Sequence, residues 1–363
     1  MTLEPLSGFT VAVTADRRRD ELATLLERQG ARVVLAPALR IVPLADDAEL
    51  RATTMSLVEH PPDIVVACTG IGLRGWIEAA EGWGLADRLC AALNGAYMVA
   101  RGSKARGALR AAGLSDAWSP ASEQCEAVQE HLLERGVAGL RVAVQLHGEP
   151  QPEFCAALAA AGAEVVEVAV YRWLPPPDPT PLRRLVDLAT NRLVDAVTFT
   201  SAPAVGALLG VAGPELPVLL EALRTDVVAA CVGPVTADPL IRRGIPVVSP
   251  RRARLGAMVR ELVDELPRRA PTLRVAGQEV TLRGHAAVVD GALRPLAPAP
   301  MAVLRALAAA PGRVLSRGAL LTSLPRGADE HAVEMAVARL RAALGGSAYV
   351  QTVVKRGYRL RVD

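Results

Sequence analysis

The sequence predicts an α/β chain of two similar lobes, each built on a parallel sheet with a cleft between them, followed by a smaller basic domain. Three observations predict this. From residue 9 onward, short apolar runs alternate with helical stretches, the pattern of β-α units that assemble into parallel sheets. An internal repeat runs through this region: Asp63-Ile-Val-Val-Ala-Cys-Thr69 is echoed by Asp195-Ala-Val-Thr-Phe-Thr-Ser201. Gly102 lies 39 residues beyond Asp63 and Gly233 lies 38 beyond Asp195; a second glycine follows 11 residues later in each copy, at Gly113 and Gly244. The charge is also split. Residues 268–363 carry 15 Lys and Arg against 6 Asp and Glu, a net of +9 in a chain of net +3, so residues 1–267 sum to −6. A basic module on an acidic body is the footprint of a nucleic-acid-binding domain.

The elements follow in order. Strands are expected over 9–14, 32–35, 64–68, 98–100, 141–145, 164–170, 196–200, 227–232 and 246–248, with helices between them at 20–29, 124–135, 153–161 and 182–190. The stretch WLPPPDPTP (173–181) reads as a stiff extended strap between the lobes. The segment around 267–272, with two prolines, reads as a short basic linker, and 273–289 as a small antiparallel sheet.

The last fifty residues carry the sharpest signal. Val333, Val337, Leu340 and Leu344 are spaced 4, 3 and 4, one face of an amphipathic helix. Asp329 and Glu330 stand at its N-cap and first turn, and Gly345-Gly346 ends it. Two β-type runs follow, 349–354 and 358–362, joined at Lys355-Arg356-Gly357. A helix followed by a basic-tipped hairpin is the geometry of a C-terminal winged helix-turn-helix: the helix enters the major groove and the wing reaches the backbone or minor groove.

At 363 residues there is room for two or three domains. The N-terminus lacks a basic-then-apolar leader, and no run of about eighteen apolar residues occurs. The five cysteines are widely spaced without a CxxC, and the five histidines show no ligand spacing. The expectation is a cytoplasmic protein with reduced thiols, no metal, no cofactor and no membrane partner.

The C-terminal segment resembles the DNA-binding output domain of OmpR/PhoB-type response regulators. The markers are PGRVLSR entering a helix, V-x-x-x-V-x-R-L-R-x-x-L-G in the recognition helix and T-V-x-x-x-G-Y-R-L in the closing hairpin, over about 273–362. The resemblance implies that His331, Ala336, Ala338 and Arg339 face base edges and Arg341 the phosphates, with Lys355 and Arg356 at the wing tip. Val354 stands where many relatives carry Arg. Domains of this kind often bind tandem half-sites, which implies a homodimer on double-stranded DNA. No dimerisation element is legible.

The body resembles uroporphyrinogen-III synthase, which closes hydroxymethylbilane into a tetrapyrrole ring with ring D inverted. The carriers are Val13-Thr14, Val170-Tyr171-Arg172, Phe199-Thr200-Ser201 and Val232-Gly233-Pro234-Val235-Thr236-Ala237 with Gly244, over about 7–266. The family fold implies one lobe from 1–38 and 174–266, a second from 41–170 inserted in it, a 267–272 linker and the winged domain at 273–363. An eight-carboxylate substrate needs anion-friendly turns, which helix N-termini supply. Candidate ligand-binding residues at such turns are Thr14, Arg17, Thr69, Arg101, Gly102, Ser103, Lys104, Thr200, Ser201 and Gly233. By resemblance Tyr171 and Thr236 are the candidate catalytic residues, Tyr171 as a phenol helping the substrate hydroxyl leave. The repeat mate of Thr236 is Ala105. Without a legible receiver domain, the fusion points to a transcriptional regulator whose synthase-like region senses a tetrapyrrole or another polyanionic small molecule. The alternative is an active synthase that also binds DNA.

Overall fold

The structure, a computed structural model, describes residues 3–44, 48–115, 117–148, 150–324 and 329–362. The chain runs β1 (Thr10–Val13), α1 (Arg19–Glu27), β2 (Arg32–Leu35), β3 (Arg40–Pro43), α2 (Ala48–Glu59), β4 (Ile64–Ala67), α3 (Gly70–Gly82), α4 (Ala86–Asn94), β5 (Tyr97–Ala100) and α5 (Ser103–Ala111). It continues with α6 (Cys125–Arg135), β6 (Arg141–Gln145), α7 (Pro152–Ala160), β7 (Glu164–Val168), β8 (Tyr171–Leu174), α8 (Thr180–Thr190), β9 (Ala196–Phe199), α9 (Ala202–Ala212) and α10 (Leu216–Thr225). Then come β10 (Val228–Cys231), α11 (Pro234–Ile241), β11 (Val247–Val248) and α12 (Leu255–Arg269). Last are β12 (Thr272–Val275), β13 (Gln278–Arg283), β14 (Ala286–Val289), β15 (Ala292–Pro295), α13 (Pro298–Ala309), α14 (Arg317–Leu321), α15 (Glu330–Leu344), β16 (Val350–Val353) and β17 (Gly357–Leu360). Two compact units result, one holding the chain up to Leu39 and from Pro176 onward, the other Arg40–Pro175.

The second unit is a parallel sheet in the order β5-β4-β6-β7. Side chains alternate across β4, as a strand buried on both faces requires. Val65 and Ala67 join Leu73, Trp76, Leu89 and Met98 on one side, while Ile64 and Val66 join Val128, Leu132, Val142 and Leu158 on the other. The buried Trp76 finds its polar partner in Thr54, whose hydroxyl accepts its Nε1–H at 2.9 Å. An antiparallel ribbon, β3 with β8, pairs Arg40 with Leu174 and Pro43 with Tyr171. The sequence does not announce this ribbon; β8 takes up the first residues of the expected strap.

The first unit contains a five-stranded parallel sheet, β11-β10-β9-β1-β2. The Ala202–Thr225 stretch is apolar and long enough, by composition, to cross a membrane. It is instead α9 and α10 with a 3-10 turn at Gly213–Glu215 between them, and Val205, Leu208, Leu219 and Leu223 bury against Phe199. The two repeat copies use their first residue alike. The Asp63 carboxylate accepts the backbone N–H of Arg141 at 2.7 Å, and the Asp195 carboxylate that of Thr10 at 2.7 Å. Each aspartate thus holds the neighbouring strand in register.

The same unit includes the C-terminal winged fold: the four-strand antiparallel meander β12–β15, three helices and the β16–β17 hairpin. Its core gathers Val280, Leu304, Leu307, Val333, Leu340 and Tyr358. The 267–272 linker is not a free tether. Helix α12 runs through Pro267 to Arg269, held by buried Leu262 and Leu266 and by Glu265 accepting from Arg268 and Arg269, and β12 begins at Thr272.

The winged fold is docked on the sheet through backbone-directed bonds. Arg283 donates to the carbonyls of Pro5 and Ser7 at 3.1 and 2.7 Å, and His285 N–H to Gly8 O at 2.8 Å. Arg305, on α13, donates to Arg192 O at 2.8 Å and Gly284 O at 3.0 Å, and approaches the Asp195 carboxylate at 3.8 Å. Gly284 passes so close to that carboxylate that any side chain there would collide with it.

Burial raises the Asp195 carboxyl to about 6, against the pull of Thr10 N–H and of Arg305. Because its folded value lies above the unfolded one, ionisation costs stability as pH rises from about 4 to about 6. Asp195→Asn keeps an acceptor for Thr10 without the charge. Its melting temperature relative to wild type is therefore expected to improve between pH 4 and 7. Asp195→Ala orphans the Thr10 N–H and should cost about 1–3 kcal/mol by denaturant unfolding at pH 7.5.

Candidate functional site

In a parallel sheet every strand-to-helix turn leaves at the same edge, and ligands bind there because helix N-termini converge on it. In the second unit these turns follow β4, β5 and β6. Thr69 is the N-cap of α3: its Oγ1 accepts Gly72 N–H at 3.1 Å and lies 3.2 Å from the Tyr171 hydroxyl. Its own N–H is held at 3.1 Å by Oε1 of Gln145, a fully buried side chain that also donates to Leu146 O. Tyr171 is buried at the start of β8, and Arg101, half-buried at the end of β5, is near enough for the two groups to feel each other's charge.

His147 completes this edge. It meets Trp173 edge-on at 5.6 Å between ring centres, and Gln151 Nε2 lies 2.8 Å from its Nδ1. Burial first, then the Arg101 charge, lowers it to about 4, so it is neutral at pH 7. Beside Tyr171 opens a cavity of about 420 Å³, walled by Leu44, Leu50, Glu49, Glu167, Tyr171 and Trp173. Its charged lining is Glu49 and Glu167 against Arg172, a net negative wall.

The Arg101–Lys104 turn differs from the expected anion cradle. Gly102 caps α5, but Ser103 N–H already donates to the Glu123 carboxylate at 3.0 Å. A Cβ at position 102 would sit 2.8 Å from the Glu123 carboxyl carbon. An internal anion occupies this helix N-terminus, and the Arg101 guanidinium turns to the Cys125 sulfur at 3.8 Å. Ser103 and Lys104 are exposed.

In the first unit the turns follow β1, β9 and β10, which are neighbours in the sheet. Ser201 caps α9 and Gly233 caps α11 in extended backbone, neither with a side-chain hydrogen bond to the helix. Thr200 and Ser201 are half-buried and Thr236 is buried in the first turn of α11. Thr14 cannot offer its hydroxyl: it is 1% exposed and donates to Thr198 O at 2.7 Å. Arg17 is exposed on the following loop. The residue expectations missed a closer source of charge. Arg251, Arg252 and Arg254 are exposed on the loop between β11 and α12, where Ala253 packs on the Gly233 turn. Three arginines in four residues after a short strand were the available signal.

On the winged fold Asp329 caps α15 by accepting Ala332 N–H at 2.8 Å, and Gly345 ends the helix at φ +104°. His331, Met335, Ala338 and Arg339 are exposed on it. Ala336 is not on that face: it is 2% exposed and packs in the core with Val333 and Val337. Arg341 is a brace. It donates to Val350 O at 2.9 and 2.6 Å and to Thr352 Oγ1 at 2.8 Å, and its guanidinium lies 5.9 Å from the Tyr358 ring centre. At the wing tip Val354, Lys355 and Arg356 are all exposed, Val354 by 79%.

Comparison with known proteins decides the family. The family profile described as "Uroporphyrinogen-III synthase HemD" matches residues 20–260. A Bacillus subtilis protein, the uncharacterized protein YjjA, is 33% identical over 260 residues, covering 71% of this chain and 96% of its own. The crystal structure of a mutant uroporphyrinogen III synthase from the extremely thermophilic bacterium Thermus thermophilus superposes with a TM-score of 0.61 at 32% identity, covering 71% of this chain and all of that one. The chain belongs to the uroporphyrinogen-III synthase family. A putative uroporphyrinogen-III synthase of Methanothermobacter thermautotrophicus is 33% identical over 143 residues, 39% of this chain and 56% of its own. Residues 292–360 match the profile described as "Transcriptional regulatory protein, C terminal". This synthase-family chain is therefore fused to a winged-helix DNA-binding domain.

One pH effect follows from the synthase-like edge. His147 has a folded value below its unfolded one, so its neutral form stabilises the fold above pH 6.5 and that contribution is lost as pH falls towards about 4. His147→Gln is expected to flatten the acid limb of the stability curve, read as melting temperature between pH 4 and 7.

Proposed function

We propose that this chain is a DNA-binding transcriptional regulator whose synthase-like region senses a tetrapyrrole or another polyanionic small molecule. The observation that carries the reading is the docking of the winged domain at the N-terminal ends of β1 and β9, through Pro5, Ser7, Gly8, Thr10, Arg192 and Asp195. Strand β9 ends at the Thr200–Ser201 turn, beside the uncapped start of α9, and begins after Asp195, where Arg305 of α13 rests. Helix α13 in turn packs on the recognition helix α15. An anion bound among Ser201, Gly233 and the Arg251–Arg254 loop would pull on one end of a strand whose other end holds the DNA reader. The effector acts only if it prefers one arrangement of that strand over the other. By the same reading Arg339 and His331 face bases, Lys355 and Arg356 the backbone, and two copies occupy tandem half-sites.

The test is gel-shift titration of the full chain on its upstream DNA, with and without uroporphyrin III as a stable polycarboxylate probe. Arg339→Ala should weaken specific binding by about 1–3 kcal/mol, roughly 5- to 150-fold. Affinity should fall linearly with salt on a log–log plot. Replacing Arg251 and Arg254 by Ala should abolish any response to uroporphyrin and leave DNA affinity unchanged. Binding that ignores both salt and Arg339 would sink the reading.

A second reading, an active synthase that also binds DNA, is favoured by the Tyr171 hydroxyl, which sits against Thr69 with Arg101 close by. A phenol so placed can protonate a departing hydroxyl, with Thr236 acting in the first unit. Turnover of hydroxymethylbilane, generated in situ, separates the readings. Type III ring that drops at least tenfold in Tyr171→Phe supports catalysis, and the spontaneous type I ring alone supports sensing.

A further inference from the structure

The edge of the four-stranded sheet holds a group that neither DNA reading nor tetrapyrrole binding uses. Strands β4 and β5 pair with Ala67 opposite Ala100, so Cys68 and Arg101 leave adjacent strands side by side, and Arg101 N–H bonds to Ala67 O at 3.0 Å. The bond from Ser103 N–H to Glu123 draws the start of α6 onto the same turn. Cys125 is the first residue of that eleven-residue helix, and Arg101 Nη1 donates to its sulfur at 3.8 Å. Cys68, 4% exposed, belongs to the buried cluster against which the half-buried Cys125 packs.

We propose that Cys125 and Cys68 form an oxidation site, in which a hydroperoxide oxidises Cys125 and Cys68 closes a disulfide with it. The Cys125 thiolate sulfur attacks the O–O bond; the far oxygen leaves with a proton as water or an alcohol, and Cys125 becomes a sulfenic acid. The Cys68 sulfur then displaces hydroxide from Cys125, and the Cys68 proton leaves with it as water. Two thiols lose two electrons to one hydroperoxide.

The surroundings favour this order of events. The neighbouring Cys68 thiol, then the Arg101 charge, lower the Cys125 thiol against burial and the charge of Glu126, while Cys68 is pushed well up. The guanidinium at 3.8 Å, the place at the start of α6 and the greater exposure suit Cys125 to attack, and the deeper burial of Cys68 suits it to resolve. The remaining cysteines are poor competitors. Burial pushes Cys155 and Cys231 to about 12, and burial with nearby carboxylates raises Cys90. Oxidation would also remove the negative partner of Arg101 beside Tyr171 and alter the backbone next to Thr69.

The experiment uses the reduced full chain with one equivalent of hydrogen peroxide at pH 7. The expected result is loss of two titratable thiols, a decrease of about 2 Da in intact mass and a Cys68–Cys125 linked peptide after digestion, reversed by a dithiol. Cys68→Ser should instead accumulate a dimedone-trappable sulfenic acid at Cys125. Iodoacetamide should label Cys125 about tenfold faster than the other cysteines at pH 7, with a midpoint near pH 6. Oxidation appearing first at Cys90, Cys155 or Cys231, or a linked peptide that excludes Cys68, would overturn the proposal. Because the peptide map is read on the wild-type chain, a substitution that fails to fold does not blunt the test.

Discussion

The buried Asp195 carboxylate is the interaction on which the first unit depends. It sits at the N-terminal start of β9, accepts the Thr10 N–H and so fixes β1 against β9, and faces Arg305 from the winged fold. Its repeat mate Asp63 performs only the first of these tasks, holding β6 against β4 through Arg141 N–H. The second task is an addition to an inherited device. A buried carboxylate is costly unless its partners are complete, so the winged fold is not an optional passenger. Removing it would leave Asp195 without Arg305, and expose the Gly8 and Ser7 carbonyls that His285 and Arg283 now satisfy.

At the opposite edge of each sheet the two units diverge in how they treat helix N-termini. In the first, Ser201 and Gly233 cap without side-chain bonds and three arginines stand nearby. In the second, Glu123 already fills the start of α5, and Thr69 with Gln145 organises the start of α3. A carboxylate ligand entering at α5 would have to displace a tethered carboxylate that competes at high effective concentration. Of the cations at that turn, Arg101 is engaged by a thiol and Lys104 is exposed. The exposed arginines thus stand beside the open turns of the first unit, and the phenol, the imidazole and the thiol pair lie in the second.

Much of this was legible from residues alone. Short continuous apolar runs and their spacing located the sheet strands, and the repeat located the turns, because both follow from local geometry. The caps Asp329 and Gly345 were readable for the same reason. The failures were non-local or came from small side chains. Ribbon β3–β8 joins residues about 130 apart in sequence and contains Pro43, so nothing local marks it. Ala336 falls three residues after Val333 and four before Leu340, inside a core stripe broader than its four large members suggest. Thr14 looked available because a sequence cannot show that its hydroxyl is already spent on Thr198 O. Pro267 suggested a linker, yet two buried leucines keep α12 helical through it.

The synthase framework and the DNA reader meet at the N-terminal ends of β1 and β9. Strand β9 is four residues long and central in its sheet, flanked by β10 and β1. A strand paired on both sides shifts as a body or not at all, since each ladder bond fixes its register. At the Asp195 end of this strand Gly284 passes against the carboxylate and Arg305 approaches it at 3.8 Å. Arg305 also holds two carbonyls, Arg192 O and Gly284 O, one on each side of the junction. One short strand thus has the Thr200–Ser201 turn at one end and, at the other, Asp195 facing α13, the helix on which α15 packs.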